Sequence, residues 1–145
     1  MDFYDFEKLA KEIVLDNLKN VEAAAAVAAA AEIVKKIAVT AVTGTGERQD
    51  PHVSVSSACR GIMSGMMLLE KDLPATATAV LQQMSAVAAE THQDPAECMT
   101  WAMEGMAAVC RLSSATIQDA VRNAIDEKFM GAGEVFDGLL RTSGA

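Results

Sequence analysis

Apolar residues recur at three- and four-residue intervals along most of the chain, and nowhere do they alternate with polar ones in turn-bounded runs as a half-buried strand requires. The pattern predicts an all-α protein. Phe3, Phe6, Ala10, Ile13, Val14, Asn17 and Val21 fall on one face of a first helix, with Asp5, Lys8, Lys11, Glu12 and Asp16 mostly opposite. Residues 16–20 (DNLKN) favour caps, so a break or kink is expected near Asn20. A second, alanine-rich helix then covers residues 21–43, and Gly44 and Gly46 stop it.

The next stretch, HVSVSSACRGIMSGMMLLEK over residues 52–71, has almost no polar face. Ala58, Ile62, Met66 and Leu69 form one stripe, Cys59, Met63 and Met67 a second, and Ser57, Gly61 and Gly65 a third; Arg60 is the only charge before Glu70. A helix that is apolar nearly all round has to be covered nearly all round. The rest of the chain, or a second copy of it, is therefore expected to wrap this segment.

Asp50-Pro51 caps that helix, and the device recurs at Asp94-Pro95 and, after a short turn, at Asp72-Leu73-Pro74. Helices are predicted over residues 73–91, 95–112 and 115–130, with Gly131 and Gly133 ending the last and a short helix possible in principle over 134–141 before a frayed end. Residues 49–51 and 93–95 are both Gln-Asp-Pro, and at the same 44-residue offset Ala58 matches Ala102, Gly61 matches Gly105 and Leu68 matches Leu112. Each unit is a cap, a Met-rich helix, a tight turn and an amphipathic helix. The expected architecture is one helical bundle of five to seven helices, with two stacked hairpins related by that pseudo-repeat as one arrangement of it. Its parts are N-terminal helices within 1–43, a four-helix core over 50–130 and a C-terminal tail over 131–145.

At 145 residues such a domain can bury a core without metal or disulfide staples. The net charge of -8, with no basic stripe, argues against nucleic acid and anionic membrane as partners. Glu32, Lys35 and Lys36 interrupt the alanine-rich segment and argue against a membrane span. Three cysteines without a close pair in sequence, Cys59, Cys98 and Cys110, fit free thiols in a reducing cytoplasm, and the acidic N-terminus lacks a signal-peptide layout.

Candidate chemistry is sparse. Met99, Met103, Met106 and Cys110 share one face of the 95–112 helix, as Cys59, Met63 and Met66 do on the 52–71 helix. Met63, Met66, Met99, Met103 and Met106 are thus candidates for an apolar pocket, or simply for the core, since Met fills irregular gaps. Thioether and thiolate also select Cu(I), which makes Cys59, Met103 and Cys110 the residues to consider for a soft metal or a thiol redox site. No C-x-x-C and no histidine in either stripe supports it, and no metal or cofactor is expected. The TGTGE of residues 43–47 lacks the G-K-[ST] of a phosphate loop. His52 and His92 have no carboxylate pair or cysteine at ligand spacing, and Ser54, Ser56 and Ser57 near Cys59 lie on no nucleophile elbow.

Ser57, Gly61 and Gly65 permit close approach of another helix, from a second copy or from the same chain. Because the chain carries more apolar helix surface than one copy easily hides, a homodimer is expected, with a protein partner as a further option. The function these residues imply is a non-enzymatic oligomerising or adaptor protein. A bundle that binds an apolar small molecule, or a soft-metal or thiol redox protein, are the alternatives.

Overall fold

The computed structural model describes residues 5–44 and 50–142; most of the polar loop at 43–49, Phe3 and the end at 143–145 lie outside the described residues. Seven helices follow one another: α1 (Phe6–Asn17), α2 (Ala23–Thr43), α3 (Pro51–Leu68), α4 (Leu73–Thr91), α5 (Pro95–Cys110), α6 (Ala115–Lys128) and α7 (Ala132–Thr142). There is no strand among the described residues.

The helix starts are fixed by side chains that take up otherwise unpaired backbone N–H groups. Asp50 accepts from the His52 N–H at 2.8 Å, Asp72 from Ala75 at 3.0 Å, Asp94 from Glu97 at 3.0 Å and Ser114 from Ile117 at 3.2 Å. Pro51 and Pro95 each occupy the first helical position, where a missing N–H costs nothing. Two helix ends use non-glycine residues in the left-handed region, Glu70 after α3 and His92 after α4, both with φ of 57°. The break between α1 and α2 comes at residues 18–22, where Lys71 Nζ donates to the carbonyls of Val21 (2.7 Å) and Lys19 (3.5 Å) and ties this turn to the end of α3.

Packing follows a two-layer rule. α1, α3, α5 and α7 touch in series, and so do α2, α4 and α6; the core lies between the two series. Neighbours within a layer run in the same direction. Gly61 backs onto Glu7 and Ala10 while Gly65 backs onto Lys11 and Val14, so α3 ascends with α1. His52 meets Trp101 while Gly105 backs onto Ser56 and Arg60, so α5 ascends with α3. In the other layer Asp72 and Ala75 share a groove with Glu22 and Val27, and Glu90 pairs with Lys35 at 3.4 Å. Parallel stacking of successive helix pairs is the geometry of helical-repeat proteins.

The 44-residue offset has a structural counterpart. α3 and α5 begin at Pro51 and Pro95, whereas α4 and α6 begin 42 residues apart, at Leu73 and Ala115, because α3 has 18 residues and α5 has 16. The α3/α4 and α5/α6 pairs stack through α3 on α5 and α4 on α6, while α3 touches α4 only lightly. Within the C-terminal segment the helix expected over 134–141 is α7, which packs on α5 and α6 and buries Phe136 completely.

α3 is packed by α1, α2, α4 and α5 of its own chain, which leave only a strip through Val53, Arg60 and Leu68 in solvent. Val55, Ala58, Cys59, Ile62, Met63 and Met66 are at most 1% exposed. The whole chain exposes 7454 Å², close to the roughly 7,100 Å² expected of a compact monomer of this mass. The premise that one chain cannot hide its apolar helix surface is therefore not met. Any self-association has to rest on particular exposed residues instead.

Candidate functional site

The small-residue stripe of α3 is filled from inside. A Cβ on Gly61 would lie 2.2 Å from the Glu7 carbonyl oxygen, and one on Gly65 would lie 2.8 Å from Val14 Cβ. α1 thus occupies the face that Ser57, Gly61 and Gly65 offered as a dimer interface, and Ser57 itself is half-buried. Gly105 plays the same part between α5 and α3, with a Cβ position 2.3 Å from the Ser56 carbonyl oxygen. Glycine is required at Gly61 and Gly105 because backbone meets backbone there, and at Gly65 because the branched Val14 side chain fills the space.

The sulfur side chains lie in the core. Met63, Met66 and Met106 are fully buried, Met103 nearly so, and Met99 is half-buried. The surface grooves between α2 and α4, between α4 and α6, and at the ends of α3 and α5 are lined by other residues than these methionines. Cys59, Cys98 and Cys110 are free and buried. Burial pushes the Cys59 thiol far up, with the neighbouring Cys98 adding to it; Cys110 is pushed up to about 12 by burial alone. Burial also raises Cys98, helped by the carboxylates of Asp94 and Glu97. Thiols held protonated are poor nucleophiles and poor metal ligands. Among the described residues no group of three or more His, Cys, Asp or Glu side chains is placed to hold a metal ion. None of their buried side-chain nitrogens or oxygens lacks a partner.

One polar constellation escaped the sequence reading. Where the start of α3 meets the middle of α5, the His52 ring stacks on Trp101, with centroids 5.2 Å apart and planes inclined by 14°, and His52 Nε2 donates to Glu104 Oε2. The sequence separates His52 from Glu104 by more than one repeat, so no local spacing signals the pair. Only the parallel pairing of α3 with α5 brings them together. An imidazole held by one carboxylate and an indole ties the start of α3 to the middle of α5 at the surface.

Among the described residues the exposed large apolar side chains are Val53, Leu68, Leu112, Met130 and Val135. Leu68 and Leu112, the pair matched by the 44-residue offset, stand at the C-terminal ends of the parallel helices α3 and α5 and are 55% and 76% exposed. Between those ends runs a groove of about 430 Å³ lined by Met67, Glu70, Lys71, Asp72, Leu73, Pro74, Ser113 and Ile117. No helix among the described residues is long and apolar enough to cross a membrane.

Comparison with known proteins adds no relative: no family model, no curated protein and no solved structure matches the chain.

Proposed function

We propose that this chain is a non-enzymatic, cytoplasmic helical adaptor that acts by self-association rather than by chemistry at a pocket. The observation that carries the reading is the exposure of Leu68, the last residue of α3, and Leu112, in the turn after α5, beside an apolar groove. Large apolar side chains left in water at a repeated position are what an interaction surface provides. The reading is also supported by the state of the thiols, since burial keeps all three protonated at neutral pH and takes thiol chemistry out of reach.

Sedimentation velocity of tag-free protein, from low micromolar to submillimolar concentration, tests the proposal. A reversible shift from one to two bare chains is expected. A monomer throughout contradicts it. Native mass spectrometry on the same sample separates the alternatives, because an extra mass lost on denaturation would replace self-association with ligand or metal binding.

A further inference from the structure

We infer that the surface at the C-terminal ends of α3 and α5 docks a second copy of this chain, with Leu112 of each copy seated in the groove of the other. The inference rests on the self-association reading and adds where the contact is made.

Three observations converge on that end. First, three of the four polar side chains lining the groove are already committed. Lys71 Nζ is taken by the Val21 and Lys19 carbonyls, Asp72 caps α4 through the Ala75 N–H, and Ser113 Oγ donates to the Cys110 carbonyl at 2.7 Å. Apart from the exposed Glu70 carboxylate at its rim, what remains available is the apolar lining of Met67, Leu73, Pro74 and Ile117, which suits an apolar knob. Second, the knob and the groove lie on the same patch. Leu112 immediately precedes the lining residue Ser113, and Leu68 follows the lining residue Met67. A two-fold axis through such a patch lets each copy fill the other, which is the condition for a closed, isologous dimer.

Third, charge selects this end. The helix connections here carry Lys19, Glu22, Glu70, Lys71, Asp72 and Arg111, with signs interspersed. The opposite end, where α3 and α5 begin and α4 and α6 finish, carries Asp50, Glu90, Asp94, Glu97, Asp126, Glu127 and Glu134 against Lys128 and Lys35, the latter paired with Glu90. Two copies of a chain with net charge -8 repel each other where the acids gather and meet at least cost where the signs balance.

The test compares wild type with the Leu68→Asp/Leu112→Asp double variant by sedimentation. Both positions are exposed in the single chain, so the fold and Tm should be kept while self-association weakens by roughly a hundredfold or more, as expected when two central anchors are lost and carboxylates are driven into the contact. Disulfide trapping with diamide gives a second readout that does not depend on acidic variants. Leu112→Cys should yield a covalent dimer rapidly, and Met130→Cys, 97% exposed at the opposite end, should not. Undiminished dimerisation of the double variant, or equal trapping at both cysteines, overturns the assignment of this surface while leaving self-association standing. A wild-type monomer at all concentrations overturns both.

Discussion

Single residues carry opposite predictions at chemically identical substitutions. Gly61→Ala and Gly105→Ala each gain about 0.5–1 kcal/mol of helix propensity. Each also drives a methyl group to within 2.3 Å of a carbonyl oxygen on the neighbouring helix, and overpacking of this kind costs about 1–3 kcal/mol. Both variants are expected to melt lower than wild type, with Gly61→Ala loosening α1 first. A Cβ on Gly138, within α7, meets nothing within 4 Å, so Gly138→Ala should raise stability by about 0.5–1 kcal/mol. Thermal melts of the three variants side by side check the sign. At the end of α4 His92 sits at a φ of 57° with no glycine's freedom; His92→Gly should stabilise by about 1 kcal/mol.

At the scale of elements, α7 is held by one large anchor. Phe136 is fully buried on a helix that packs against α5 and α6, and Phe136→Ala should cost about 3–5 kcal/mol, measured by urea unfolding. Helix boundaries were legible because their signals are local. Asp-Pro and Ser caps mark the starts of α3, α4, α5 and α6, and the DNLKN stretch marks the break after α1. Which helix covers which was not legible. The glycine stripe on α3 states only that something approaches closely, and the sequence cannot distinguish α1 from a second copy as the approaching helix. His52 and Glu104 were missed for the same reason, since each is unremarkable within its own helix. The 44-residue offset was the one long-range signal, and it relates α3 to α5, the pair that stack in one layer. Leu68 and Leu112, matched at that offset, prove to be exposed rather than core.

For the molecule as a whole, the buried thiols link stability to pH. Their native pKa values are raised, to about 12 for Cys110, above the ordinary 9.0 that the unfolded chain would show. Above that value the unfolded chain releases protons that the native state retains, so stability is fully present at neutral pH and falls as pH rises through about 9 to 12. Denaturant titrations at about pH 8 and pH 10 should show this loss, and Cys110→Ala should reduce its slope.

The most direct test of the fold is native-state hydrogen exchange, read helix by helix at two protein concentrations. If α3 is covered by α1, α2, α4 and α5 of its own chain, its amides exchange only through global unfolding. Their protection should be the slowest-exchanging class in the protein, unchanged between dilute and concentrated samples once global stability is matched. If α3 instead exchanges by local opening in the dilute sample and becomes protected on concentration, a second copy provides its cover and the single-chain packing described here is wrong.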